Sequence, residues 1–540
     1  MPSSRRSVEI ESLWQRFRRY RYGAPELGFT LDVSRVRFGD DDLGRMSARA
    51  ARALDAMAAL EAGALANYDE GRMVGHYWLR APELAPTPVI GKAIANAVES
   101  VRAFAARIRT GELAGARGRF EHVVHVGIGG SALGPELLCD ACGDARDPID
   151  VHFLDNADPD GVDRLLARLD GALGRTLVSV VSKSGFTPTT LHLMLEVEAA
   201  FRRCGLNFER QAVATTIEGS DLDALARARG WLARFPIWEW VGGRTSITSA
   251  VGLLPGALKG VDVTALLREA AAMDCLTRVR DPRANPAVLL ALMWYLLGNG
   301  RGDRRMVIMP YKDRLALFPR YVQQLVMESV GKERDRGGAV VHQGLTVYGN
   351  KGSTDQHAYV QQLRDGTPDF FVTFVHVGDE RRGPPLEVMP GATLGDHLFG
   401  YLEATRDALH ERGRDSVTIE IPDVSPASLG TLIALYERAV GIYAELINVN
   451  AYDQPGVVKS AAAPTVELQQ AAVGYVRRAA EPVTAEEVAV AIGRPDCVET
   501  VYKLLDRLSR QPARGIAASR AEVPFGERFQ VLDLPVEVSA

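Results

Sequence analysis

His122-Val-Val-His-Val126 runs directly into Gly127-Ile-Gly-Gly-Ser-Ala-Leu-Gly-Pro135, and the fold is decided at this junction. A short apolar run that ends on a glycine-rich turn and reopens as a helical pattern is one strand-turn-helix unit of an α/β protein. The pattern recurs downstream. Leu177–Val181 leads into Ser182–Gly185 and a helix, Met306–Met309 into the helix that carries Glu328, and Leu345–Tyr348 into Gly349–Ser353 and a further helix. Strands alternating with helices in this way predict parallel sheets with crossover helices, so the expected fold class is α/β. Two sheets are expected, near residues 115–275 and 290–460.

The 540 residues exceed what one hydrophobic core normally supports. Four segments are therefore expected: 1–114, mainly helical and packing on a sheet, as in the alanine-rich Met46–Ala66; 115–280 and 281–462, one sheet each; and 463–540, a C-terminal extension. A formal net charge of −5 and a pI near 6.1 give no bulk electrostatic reason to bind nucleic acid or an anionic membrane. The first residues, Met-Pro-Ser-Ser-Arg-Arg with Glu9, Glu11 and Arg16, lack the apolar core of a signal peptide, and no later run is long enough to span a bilayer. A cytoplasmic location is expected. The five cysteines, Cys139, Cys142, Cys204, Cys275 and Cys497, form no disulfide framework. Cys139 and Cys142 read as C-x-x-C, but they fall in a helix with no second ligand pair, which favours packing over zinc or redox chemistry.

After Ala461 the character changes. Thr484-Ala-Glu-Glu487 and Asp496-Cys-Val-Glu499 each resemble a capping box. Val498, Val501, Leu504, Leu505 and Leu508 share one helical face, and a β-like tail, Phe525–Leu532, follows. This predicts a small winged-helix-like unit. Lys503, Arg507, Arg510 and Arg514 suit a nucleic-acid reader, yet residues 481–540 hold seven Lys and Arg against ten Asp and Glu, a net of −3. Packing or an interface is the favoured role.

Backbone N–H groups in Gly127–Pro135, at the start of a helix, are suited to hold an anion. Gly127, Gly129 and Ala132 also satisfy the dinucleotide pattern G-x-G-x-x-A, with Asp155 as the candidate ribose-binding acid. Ser182-Lys-Ser-Gly-Phe-Thr-Pro-Thr-Thr190 is a second strand-to-helix turn, rich in hydroxyls and carrying a lysine, and suits a phosphate monoester. Its bland alternative is an ordinary Ser/Thr-capped helix. In Val241-Gly-Gly-Arg-Thr-Ser246, Arg244 follows a glycine pair and is a candidate oxyanion stabiliser. His357, in Gly352-Ser-Thr-Asp-Gln-His357, is a candidate acid-base near neutral pH. Glu328, in Gln323-Gln-Leu-Val-Met-Glu-Ser-Val-Gly-Lys332, is an acid on an otherwise apolar helical stretch, the setting of a general base.

Taken in order, these segments and Asp453-Gln-Pro-Gly456 resemble the motifs of the glucose-6-phosphate isomerase family, over residues 120 to 460. The resemblance implies two sugar-isomerase-type (SIS) α/β/α sandwich domains with parallel sheets and a homodimer with its active site at the interface. It also implies interconversion of glucose 6-phosphate and fructose 6-phosphate without metal or cofactor. Gly130, Ser131, Ser182, Lys183, Ser184 and Thr187 are then expected around the phosphate, with Gln324 and Gln454 as further substrate contacts. His357 opens the sugar ring across the dimer interface, Glu328 moves a proton between C2 and C1 through a cis-enediol, and Arg244 supplies positive charge. Two departures stand out. Thr189 occupies a position where the family has glutamate, and Gly456-Val-Val-Lys459 brings its lysine two residues early. Lys459 is expected to assist ring opening. The rivals are a sugar-phosphate sensor whose tail reads DNA and a dinucleotide-dependent oxidoreductase resting on Gly127–Ala132.

Overall fold

A computed structural model describes residues 13–144, 146–455, 463–519 and 524–532. Contacts divide the chain into two compact units, Met1–Asp453 and Gln454–Ala540.

The first unit opens with a hairpin, β1 (Arg21–Ala24) and β2 (Phe29–Asp32). β3 (His122–Val126), β4 (Asp150–Leu154), β5 (Thr176–Val181), β6 (Ala212–Thr216) and β7 (Ala233–Pro236) form an all-parallel sheet in the order β7-β6-β5-β3-β4. β8 (Arg305–Pro310), β9 (Val347–Tyr348), β10 (Phe370–Val377) and β11 (Ser416–Ile421) form a second parallel sheet in the order β11-β10-β8-β9. The hairpin extends this second sheet, because β2 pairs antiparallel with β11. The first hundred residues therefore supply two strands of this sheet as well as the helix Asp40–Glu61 and the start of the helix Pro88–Thr110.

Alternation along each strand explains the layering. Val123 and Leu177 face one core that also receives Met306 and Ile308 from the second sheet. Val124, Val178 and Val180 face the opposite side of the first sheet, against Met194 and Phe201. Val307 and Met309 likewise meet Leu402 and Leu409 on the outer side of the second. Strands buried on both faces read as continuous apolar runs, which is why they are legible in the sequence. The shared core is filled by Val263–Thr277, Pro286–Leu297 and Pro426–Leu446. The last two are apolar nearly all round, as helices enclosed by other layers must be. Each fully buried Leu, Ile or Phe there contributes roughly 1.5–3 kcal/mol.

Strand order reverses between β3 and β5 in the first sheet, so their carboxyl ends open a crevice at a topological switch point. Gly127–Pro135 follows β3 and Ser182–Thr190 follows β5, so both loops are brought to this crevice.

The second unit holds helices Ala463–Val476, Ala485–Ala491 and Val498–Ser509 and a hairpin of Ile516–Ala518 with Phe529–Val531. Val501, Leu504, Leu505 and Leu508 are buried together with Val488, Ile516 and Phe529. Thr484 and Glu487 form the expected capping box. The box expected at Asp496 is not formed. Residues Pro495–Cys497 make a 3-10 turn, and the Asp496 carboxylate pairs with the Arg494 guanidinium at 3.2 Å, a charge-assisted contact that leaves the Val498–Ser509 helix without a side-chain cap.

Candidate active site

The glycines of the first loop are required by what packs on them. Gly129–Ser131 is a 3-10 turn with Gly129 at φ +59°, a left-handed conformation favouring glycine. A Cβ on Gly130 would sit 2.0 Å from the Gly243 carbonyl oxygen and 2.8 Å from the Arg244 amide nitrogen, so only glycine lets the two turns touch. Ser246 Oγ donates to the Gly243 carbonyl at 2.8 Å and lies 3.2 Å from the Gly130 carbonyl, which locks the pair. Behind the loop, the buried His125 ring places Nε2 2.7 Å from the Ser131 carbonyl. Burial pushes that imidazole down to about 4, so it is neutral and Nε2–H donates.

The hydroxyl loop is also pre-arranged. Ser182 Oγ and Thr187 Oγ1 are 3.1 Å apart, the Thr187 amide reaches Ser182 Oγ at 3.4 Å, and the Phe186 amide reaches Ser184 Oγ at 3.3 Å. Thr187 is the N-cap of helix Pro188–Arg203 but makes no side-chain cap. Its hydroxyl turns to Ser182, which removes the ordinary capping reading and leaves the helix N-terminus to an incoming anion. Half-buried Lys183 donates to the Glu239 carbonyl at 2.8 Å. Burial first, then Arg72 and Arg244, push its ammonium down to about 8, against the pull of Glu70 and Glu239.

Arg244 is buried and held on three sides. Nε donates to Ser329 Oγ at 2.8 Å, and Nη2 donates to the Asp453 carbonyl at 3.2 Å and to the Ala451 carbonyl. Nη1 remains, 3.6 Å from Glu328 Oε2, longer than a hydrogen bond and open to a third group. Glu328 lies on helix Phe318–Val330, after β8 in the second sheet, so the carboxylate and the guanidinium come from different sheets. Gln324, one turn earlier, donates to Glu328 Oε1 at 3.4 Å. Lys332 is buried and donates to the Glu328 carbonyl at 3.1 Å and to the Asp453 carbonyl at 2.9 Å, and it pairs with the Asp453 carboxylate at 2.8 Å. A carboxylate whose remaining partners are one amide and one fixed cation is suited to take a proton from carbon, with the cation ready for the resulting oxyanion.

The sequence profile of the phosphoglucose isomerase family matches residues 32–383, more than half of the chain. The chain belongs to the phosphoglucose isomerase family. The glucose-6-phosphate isomerase of Geobacter sulfurreducens is 54% identical over 97% of this chain and 99% of its own length. That of Nostoc punctiforme is 52% identical over 92% and 95%. Among solved structures, a glucose-6-phosphate isomerase from Chlamydia trachomatis superposes with a TM-score of 0.76 at 27% identity, covering 85% of this chain and 91% of that one. A hypothetical protein from Thermus thermophilus gives a TM-score of 0.69 at 31% identity, over 82% and 99%.

Within this member of the phosphoglucose isomerase family, Gly130, Ser131, Ser182, Lys183, Ser184 and Thr187 sit on the two switch-point loops, with Arg244, Glu328 and Gln324 facing them through the Gly243–Thr245 turn. His357 belongs to a separate turn. It is exposed in the Asp355–His357 turn, which is anchored by buried Asp355 accepting from the Asn350 amide at 3.1 Å and Tyr359 Oη at 2.5 Å. Gln454 is the first residue of the second unit. Lys459 lies outside the described residues. Asp155, the acid a dinucleotide site needs, is paired with Arg320 at 3.2 Å. Cys139 is buried, and burial pushes the Cys142 thiol up to about 12, as packing cysteines require.

Several residues at the site carry no sequence signal strong enough to have found them. Ser329 and Lys332 lie inside the Glu328 motif, but their roles depend on contacts to Arg244 and Asp453. His76 and Glu437 line a cavity with Lys183, Arg244 and Ser329 and come from segments that carry no motif, whereas Tyr452, on the same cavity, directly precedes the Asp453–Gly456 motif.

Proposed function

We propose that this chain isomerises glucose 6-phosphate and fructose 6-phosphate at the crevice between Ser182–Thr190 and Glu328. The observation that carries the reading is the pairing of Glu328 with the open Nη1 edge of a buried, three-point-held Arg244. A C–H beside a carbonyl is a weak acid, so its removal needs a carboxylate in contact and a fixed positive charge for the oxygen that becomes anionic. Glu328 takes the proton from C2 of the open-chain aldose and returns it to C1, through a cis-enediol. Arg244 Nη1 faces the enediolate oxygen. Ser182, Ser184, Thr187, the Gly130–Ser131 turn and Lys183 hold the phosphate, and Gln324 holds a sugar hydroxyl.

Ring opening belongs to His357 of a second copy, a reading supported by the exposure of this residue in its own chain. The working form is then a homodimer in which each site is completed by its partner. The residues group as two sugar-isomerase-type domains, 115–280 and 281–462, with 1–114 on the larger body. Residues 463–540 form a winged-helix-like extension, supported by three helices followed by a hairpin, with Val483 bridging to Phe529. A cytoplasmic location suits this reading. No described helix is long and apolar enough to cross a membrane.

A coupled assay with fructose 6-phosphate in the presence of a chelator tests the reaction and its metal independence together. Turnover is expected. Absence of turnover with full-length, folded protein removes the reading.

A further inference from the structure

Two cations and two carboxylates meet where the Glu328 helix comes against the 451–453 segment. Arg244 Nη1 lies 3.6 Å from Glu328 Oε2, and Lys332 Nζ lies 2.8 Å from Asp453 Oδ1. Both cations also reach one backbone atom: the Asp453 carbonyl accepts from Lys332 at 2.9 Å and from Arg244 Nη2 at 3.2 Å. The third Lys332 contact, at 3.1 Å, is the carbonyl of Glu328 itself, one helical turn back. Of the three residues whose oxygens hold Arg244, Ser329 belongs to the Glu328 helix, whereas Ala451 and Asp453 belong to the segment. Lys332 ties that segment to the helix. Neighbouring contacts run elsewhere: the Tyr452 amide donates to Asn450 Oδ1 at 2.9 Å, and Asn450 Nδ2 donates to the Ala66 carbonyl at 2.8 Å.

The side chains of Lys332 and Arg244 are each 6% exposed and that of Asp453 17%, so these charges act on one another through little water. Burial lowers Arg244, and the charges of Glu328 and then Asp453 act against that, so the Asp453 carboxylate already bears on the guanidinium. A carboxylate in this setting is costly without a partner, and the cation that shares its carbonyl with Lys332 is Arg244. Pairing with Asp453 would draw the guanidinium away from Glu328. We propose, resting on the isomerase reading above, that Lys332 is a positioning residue for the isomerisation: it neutralises the Asp453 carboxylate and holds the Asp453 carbonyl, so that the Nη1 edge of Arg244 stays on Glu328 and the enediolate oxygen. Lys332 contacts two carbonyls and Asp453, not the reacting carboxylate or the phosphate loops. The charge of Arg244 is needed most when the enediolate forms, so loss of Lys332 slows turnover and leaves substrate affinity in place.

The test measures kcat and KM with fructose 6-phosphate for wild type, Lys332→Met, Lys332→Arg and the double variant Lys332→Met/Asp453→Asn, with the folded fraction of each taken from circular dichroism. Lys332→Met is expected to lower kcat about tenfold with KM within about threefold. Lys332→Arg, which keeps the charge, is expected to retain most of kcat. The double variant is expected to turn over at least about threefold faster than Lys332→Met, because the carboxylate that competes for Arg244 is gone while its carbonyl remains. An ion pair of structural use alone would move the folded fraction and leave kcat per folded molecule unchanged. Wild-type kcat in Lys332→Met, a KM that rises as kcat falls, or a double variant as slow as Lys332→Met overturns the proposal. Should Lys332→Met not fold, Lys332→Gln, neutral yet able to donate to a carbonyl, takes its place. The same loss and the same recovery with Asp453→Asn are expected, and the failure of either overturns the proposal. An inactive wild type instead strikes the isomerase reading and is told apart by that first control.

Discussion

At the scale of single residues, the site depends on what each side chain is prevented from doing. Arg244 cannot swing, because Ser329 and the Ala451 and Asp453 carbonyls occupy its other donors. Glu328→Gln keeps the shape and the Gln324 contact while removing the proposed base. The expected result is a fall in kcat of about 10² to 10⁴ with substrate affinity nearly unchanged, read by steady-state kinetics and a binding titration. Loss of affinity in parallel would count against a purely catalytic role. His125 makes a separate prediction about pH. Its folded value, about 4, lies below the ordinary 6.5, so the unfolded chain binds the proton more readily. Stability is full above pH 6.5 and is lost as pH falls from 6.5 towards 4, by roughly 3 kcal/mol for the whole shift. Thermal midpoints measured between pH 7 and 4.5 are expected to fall in wild type and to fall less in His125→Asn.

At the scale of elements, the shared core is tied by charge as well as by apolar area. Arg80 meets Asp274 and Glu437, and Arg438 meets Glu61 and Asp274, so the 76–80 turn and helices Asp40–Glu61, Val263–Thr277 and Pro426–Leu446 converge on one buried cluster. Burial by itself raises the Glu61 carboxyl, but Arg438 and Arg278 outweigh it and hold it at about 2. Removing one member leaves its partner charged and buried. Asp274→Ala is expected to destabilise the protein by about 3–5 kcal/mol in urea unfolding. The exposed Arg305–Asp369 pair is the control, and Asp369→Ala is expected to change little. Element identity was readable wherever burial imposed a period: β3, β5 and β8 match the apolar runs to within a residue. The β1–β2 hairpin was not. Arg21–Ala24 and Phe29–Asp32 are four residues each; the first pairs with the second, and the second joins the sheet through Thr418–Glu420, almost four hundred positions away.

At the scale of the whole molecule, the exposed position of His357 makes a prediction about assembly. In a two-fold dimer whose sites each combine Glu328 of one copy with His357 of the other, two inactive variants complement each other. Glu328→Gln and His357→Ala, mixed and reassociated, form hybrids in which one site carries both lesions and the other carries none. Random pairing is expected to restore roughly a quarter of wild-type activity, measured after dissociation and refolding of the mixture. No recovery means that His357 serves its own chain.

The sequence by itself determined the α/β class, the two loops and the acid at Glu328, because these rest on local rules: side-chain period, glycine at turns, hydroxyls at a strand-to-helix junction. Tertiary structure decided the rest. Gly130 is glycine because the Gly243 carbonyl lies against it, and Arg244 faces Glu328 because two sheets share one core. His76 borders the Arg244 cavity from a turn that no local pattern marks. Such contacts join segments a hundred or more residues apart. Their geometry follows from how the layers close over that core, which no window of the sequence contains.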